Sequence, residues 1–283
     1  LFNKFRFLNS EPEEANVTVP DSFSKNVLLE AIPLNQSLTN RWDQEWLVYF
    51  LTEDPRPFFV NHEKLEIVTQ LEGKSPAEVY QTILTEEYGG RALWPLNIWI
   101  EGDHLVGKNI LEIGCGPGLV GKQLSKVASS YLGLDYSLLA LNIARLTSPA
   151  NCTYYHLSEI DQILGHASNM DTMIGRNFFI HQNYQNLLWL LKLAYVLLKP
   201  GGRISADFYQ GNPAIPQGVI HSAHNNLDEQ YPSCGFEFST ADIQQAAHEN
   251  GFVVESLFDN LDLQRRFVQF VKRSQSLGSV DLS

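Results

Sequence analysis

The chain has 283 residues, 44% hydrophobic and 18% charged, a balance that excludes a disordered, collagenous or fibrous protein and leaves room for one large α/β domain or two modest ones. The 20 Lys and Arg stand against 32 Asp and Glu, and the resulting charge of −12 argues against a nucleic-acid binder or an anionic-membrane protein. Its cysteines, Cys115, Cys152 and Cys234, are odd in number and too widely spaced for a CxxC metal or redox site, which points to a reducing cytoplasm.

Residues 1–25 carry Glu11, Glu13, Glu14 and two prolines without an apolar period and read as a flexible arm. Residues 26–106 read as a helical cap and substrate region. Within them Trp46, Leu47, Phe50 and Leu51 recur at helical spacing before the breaker Asp54-Pro55-Arg56-Pro57, and Pro76 starts a second periodic stretch that ends at Gly89-Gly90. From Lys108 onward apolar strand-like runs alternate with helix-like segments: NILEIG, LVGKQLSKVA, YLGLD, LLALNIARL, CTYYHL and MDTMIG. That rhythm predicts a parallel sheet. A helix from about Gln185 to Leu198, a turn at Pro200-Gly201-Gly202 and the strand RISADFY follow. Residues 209–238, rich in Gly, Pro, His and Asn, read as a lid-like insertion. Ser239 or Thr240 caps a helix that Gly251 terminates. The last runs, FVVESLF and RRFVQFV, are joined by a link too short for a parallel crossover, so they pair antiparallel. The longest apolar run, 187–198, contains Lys192 and falls far short of the ~20 residues that span a bilayer. Residues 274–283 form a polar tail. That tail, and a start at Leu1 rather than Met, are consistent with one part of a longer multidomain polypeptide.

The segment Glu112-Ile113-Gly114-Cys115-Gly116-Pro117-Gly118 joins a buried strand to the start of a helix. Its glycines permit a sharp turn and a close approach of backbone to ligand. Gly116 to Gly121 also fits GxGxxG, the dinucleotide fingerprint. Two features disfavour NAD: Glu112, immediately before the turn, would repel a pyrophosphate, and the C-terminal hairpin puts into the sheet an antiparallel strand that a dinucleotide fold does not need.

The segment resembles motif I of the class I S-adenosylmethionine-dependent methyltransferases, and the resemblance extends over roughly Lys108 to Arg273. Leu198-Lys199-Pro200-Gly201-Gly202 resembles the turn before strand five of that family. The fold implied is α/β: a Rossmann-like doubly wound sheet, mostly parallel with an antiparallel C-terminal hairpin strand, residues 107–273, plus the N-terminal helical cap. S-adenosyl-L-methionine is the implied cofactor and S-adenosyl-L-homocysteine its product. The implied cofactor residues are Glu112, Gly114, Cys115, Gly116 and Gly118, then Asp135 and Tyr136 after strand two, with Asp135 on the ribose hydroxyls. Ser158 and Glu159 after strand three and Asn177 after strand four complete the set. The family often has an Asp for the adenine amino group where Ser158 and Glu159 stand.

Missing motifs narrow the acceptor. After strand four the chain reads Gly175-Arg176-Asn177-Phe178-Phe179-Ile180-His181, without the [DNS]PP[YFW] tetrapeptide of adenine-N6 and glutamine-amide enzymes, and no Pro-Cys pair serves cytosine chemistry. The lead-in Gly89-Gly90-Arg91-Ala92-Leu93-Trp94-Pro95 is similar to the seven-strand protein-lysine methyltransferases, but their DxxY is replaced by Asn177-Phe178-Phe179-Ile180. A small molecule or modified peptide, methylated on O, N or carboxylate, is therefore the expected acceptor. A protein-lysine enzyme or an inactive cofactor-binding module is the alternative; an aminopropyltransferase lacks paired acids after strand four. His181, at the mouth after strand four, is the expected general base. Trp94, Tyr184, Asp207 and Tyr209 are expected substrate contacts, the last three because they follow strand ends where ligands bind in open α/β sheets. No metal site is expected, since His221, His224 and Asp228 lack a clear ligand spacing.

Overall fold

Each short apolar run between Asn109 and Tyr209 becomes a parallel strand because the segment after it returns the chain over one face of the sheet. The computed structural model describes residues 28, 36–52, 105–209, 219–220, 236–261 and 265–273. The elements in chain order are α1 (Gln36–Thr52), β1 (Asn109–Ile113), α2 (Leu119–Leu124), β2 (Ser130–Asp135), α3 (Leu138–Thr147), β3 (Cys152–His156), α4 (Ile160–Leu164) and β4 (Met170–Gly175). A 3₁₀ turn (Phe179–His181), α5 (Tyr184–Leu197), β5 (Leu198–Tyr209), β6 (Val219–Ile220), β7 (Phe236–Glu237), α6 (Thr240–Glu249), β8 (Phe252–Asn260) and β9 (Arg265–Lys272) follow. Seven strands make one sheet in the order β3-β2-β1-β4-β5-β9-β8, while β6 and β7 pair separately. Strands β1 to β5 are parallel; β9 is antiparallel to both β5 and β8. The expected α/β sheet with its antiparallel C-terminal hairpin is thus observed.

The strand order reverses between β1 and β4, and the crevice above their C-terminal ends is the place such sheets offer a ligand. Apolar clusters on both faces hold the strands rigid beneath it. The larger joins Leu111, Ile113 and Met173 to α5 and α6; the smaller joins Ile110, Tyr131 and Ile174 to Val120 and Leu124 of α2. Ser137, Asn183 and Ser239 cap α3, α5 and α6, each accepting a first-turn backbone N–H, and Ser239 forms a capping box with Asp242. Gly251, at φ 79°, follows α6 as expected.

The Pro200-Gly201-Gly202 turn differs from its sequence reading. Instead of preceding β5 it lies within it: Leu198 pairs with Met170 and Arg203 with Thr172, so residues 199–202 bulge out of the ladder. The reason is that Leu198 is fully buried and already in register, while Lys199 bonds Asp171 at 2.7 Å across the strands. The arm 1–25, the cap apart from Leu28 and α1, most of 209–238 and the tail 274–283 lie outside the described residues. Among the described residues, no helix is long and apolar enough to cross a membrane.

Candidate functional site

The loop after β1 is shaped by hydrogen bonds to the end of β2. The Leu134 carbonyl accepts the N–H groups of Gly114 (2.7 Å) and Cys115 (3.1 Å), while Asp135 Oδ2 accepts the Gly116 N–H at 2.7 Å. Gly114 and Gly116 take φ values of 73° and 52°. A Cβ at Gly114 would meet the Phe178 ring at 2.3 Å, and one at Gly116 the Trp46 indole at 2.4 Å, so both positions exclude side chains by conformation and by space.

Above the loop lies a cavity of about 160 Å³. The glycine loop, Asp135 and Tyr136 form one side, Arg176 to Phe178 and His181 another, and Trp42 and Trp46 of α1 a third. Helix α1 is anchored there by polar contacts. Asp43 Oδ1 accepts from the Ser137 hydroxyl (2.6 Å) and the Leu139 N–H (3.0 Å), and Thr39 Oγ1 bonds His156 Nε2 at 3.2 Å. Trp42 meets the His181 ring edge-on, with centroids 4.7 Å apart.

Asp135 is buried, and burial pushes its pKa up to about 6 against the opposing pull of the Ser137 and Gly116 N–H groups. Its oxygens accept the Gly116 and Ser137 N–H groups, and the Tyr136 N–H also pulls its pKa down, so part of its acceptor capacity is left toward the cavity. Tyr136 is stacked on Phe178 at 5.6 Å and its hydroxyl reaches Gln182 at 3.2 Å. Burial also pushes the Cys115 thiol up, so it stays protonated and unreactive at neutral pH.

Of the residues expected from sequence, Gly114, Cys115, Gly116, Asp135, Tyr136, Asn177 and His181 line this one cavity. Glu112 does not. It lies beneath the loop, accepts the Tyr131 hydroxyl, and burial raises its pKa to about 8 although the Arg176 guanidinium works the other way. Burial thus works against the negative charge expected from the sequence. Gly118 packs on Tyr154. Ser158 and Glu159 are also away from the cavity: Ser158 bonds His156 Nδ1 at 2.6 Å, and Glu159 accepts the His156 N–H at 2.6 Å and pairs with Arg145 at 3.1 Å.

The expected substrate contacts lie beside the cavity rather than on its walls. Asp207 accepts the Asn177 N–H at 2.7 Å and faces Arg265 at 3.4 Å, Tyr209 lies under the Arg265 guanidinium at 4.6 Å, and Tyr184 packs near Phe238. Trp94, His221, His224 and Asp228 lie outside the described residues. Sequence reasoning missed Trp42, Trp46 and Arg176 as wall residues. Trp42 and Trp46 carried a signal, since two tryptophans four apart share one helix face, but nothing in the sequence says what that face covers.

A family described as "Methyltransferase domain" matches residues 110–202. Among curated proteins, the ubiquinone biosynthesis O-methyltransferase of Acinetobacter baylyi is 28% identical over 127 residues, 42% of this chain and 52% of that protein. The protein of the same name from Aromatoleum aromaticum is 29% identical over 115 residues, 39% of this chain and 48% of that one. The chain thus spans about half the length of the curated relatives it matches. Magnesium protoporphyrin IX methyltransferase from Synechocystis PCC 6803, crystallised with bound SAM, superimposes with a TM-score of 0.50 at 14% identity, covering 85% of this chain and 99% of that one. At that identity the likeness speaks to the fold.

Proposed function

From the premise that this chain carries a class I S-adenosylmethionine-dependent methyltransferase domain, we propose that it transfers the methyl group of that cofactor to a small molecule. The observation that carries this reading is the convergence of the glycine loop, Asp135 and His181 on one cavity closed by two tryptophans. The residues present suit the cofactor: Gly114 and Gly116 let the loop turn tightly beside the cavity, and Asp135 on its wall keeps acceptor capacity for a ribose hydroxyl. Ser158 and Glu159 are bonded to His156, and the stacked rings of Tyr136 and Phe178 offer the adenine an apolar wall. When bound, the cofactor supplies an electrophilic methyl group on a sulfonium.

The chain's own residues then orient, exclude water and move a proton. Trp42 and Trp46 wall off solvent, which strengthens the electrostatics inside. Asn177 has φ 54°, a left-handed conformation held by the bond from its N–H to Asp207, and that turn aims the segment leading to His181. His181, held against Trp42, takes the acceptor proton when the acceptor is a hydroxyl or ammonium. The curated relatives are named as O-methyltransferases, which supports a hydroxyl acceptor. The test is calorimetry with S-adenosylhomocysteine and NAD, followed by a screen of S-adenosylhomocysteine release across hydroxyl, amine and carboxylate acceptors. Binding of the sulfur nucleoside and turnover of a hydroxyl acceptor are expected; binding of NAD alone overturns the reading.

A further inference from the structure

We propose that Arg176 receives an anionic group, of carboxylate type, carried by the methyl acceptor, so that the acceptor class is an acid rather than a neutral compound. This rests on the methyltransferase reading above and goes beyond it. Arg176 lines the cavity beside Asn177 and His181, and its buried Nε has no hydrogen-bond partner. A buried donor without a partner calls for an explanation, and a group bound in the adjoining cavity is one.

The neighbouring carboxyls offset its charge only in part. Glu112 accepts the Tyr131 hydroxyl, and burial disfavours its charged form. Asp207 attracts the Arg176 guanidinium but is shared with Arg265 and bonded by the Asn177 N–H. Asp135, the one carboxylate among the described lining residues, is tied to the Gly116 and Ser137 N–H groups. In a protein of charge −12, Arg176 is therefore a local positive centre inside a half-closed cavity, where a guanidinium fork suits a planar carboxylate. Its position favours the acceptor over the cofactor: it follows β4, next to β5, whereas the glycine loop and Asp135 follow β1 and β2.

The experiment uses the whole chain loaded with S-adenosylhomocysteine and titrated with matched acids and amides: 3,4-dihydroxybenzoate against its amide, and hexanoate against hexanamide. The wild type is expected to bind at least one acid about ten- to a hundred-fold tighter than its amide, the scale of a hydrogen bond to a charged group. Arg176→Gln should erase that preference with nucleoside affinity unchanged within about two-fold, and Arg176→Lys, which keeps the charge, should retain part of it. A wild type without preference for either acid, or a preference that survives Arg176→Gln, overturns the proposal. So does a Gln variant that loses about ten-fold or more for S-adenosylhomocysteine but nothing for 5′-methylthioadenosine, because the guanidinium would then hold the cofactor's own carboxylate. A chain that prefers the acids yet binds no S-adenosylhomocysteine keeps the anion site and removes the methyltransferase reading instead.

Discussion

The two halves of the cavity are built on opposite principles. Over β1 and β2, backbone donors and the Asp135 carboxylate satisfy one another, so that half is held in shape by its own hydrogen bonds. Over β4, a half-buried charged side chain holds a buried nitrogen without a hydrogen-bond partner, and a non-glycine residue sits at positive φ. A self-satisfied wall suits an invariant ligand that needs a ready-made cradle. An incompletely satisfied wall suits a ligand that brings the missing partner and is discriminated by doing so.

Substitutions can separate the halves. The largest expected effect is on turnover: His181→Ala should lower it about 10²- to 10⁴-fold while S-adenosylhomocysteine affinity, measured by calorimetry, stays near the wild-type value. Equal loss of both would dissolve the distinction. Asp135→Ala should do the reverse in kind, weakening nucleoside binding by about 1.5 to 3 kcal/mol. Because the Asp135 pKa is raised to about 6, nucleoside affinity should also fall as pH drops through 6, and Asp135→Asn should flatten that dependence.

How much of this was legible in the sequence differs between the halves in the same way. The turn after β1 could be read because glycine is nearly alone in tolerating its conformation, so Gly114 and Gly116 announce their geometry. The alternation of strand and helix, and the link too short to cross over before β9, were equally direct. Arg176 was not legible, since an arginine after a strand is ordinarily solvated and only the fold shows its Nε buried. The commitment of Ser158 and Glu159 to His156 was hidden for a related reason: short polar side chains near a helix start choose between ligand and local backbone, and only coordinates reveal the choice. For Glu112 the sequence shows a carboxylate but not its burial or its bond from Tyr131, which only the fold reveals.

Smaller effects sharpen the comparison. Gly116→Ala should destabilise the chain by about 1 to 3 kcal/mol in chemical unfolding, through its positive φ and the contact with Trp46. Trp46→Ala should relieve part of that loss in the double variant; strict additivity would mean that α1 does not rest on the loop. Glu112→Gln addresses what lies beneath. The wild-type carboxyl holds a proton in the fold up to about pH 8 that the unfolded chain releases above 4.5, so it costs stability progressively as pH rises through that window. Glutamine has no proton to release, and at pH 8 the variant should be the more stable by an amount on the order of 1 kcal/mol. A stability difference between wild type and Glu112→Gln that stays constant from pH 5 to 8 would show Glu112 to be ionised.

The anchoring of α1 on Ser137 and Leu139 makes one hinge of two things. Asp43 grips the Ser137 hydroxyl, whose oxygen caps α3 by accepting the Ala140 N–H, while the Ser137 N–H steadies Asp135. Lifting the tryptophan wall therefore frays the first turn of α3 and loosens the acid facing the cavity in the same motion. Ligand escape and end-fraying of α3 are then expected to coincide, and solvent exchange of the Leu139 amide should report how often the cavity opens.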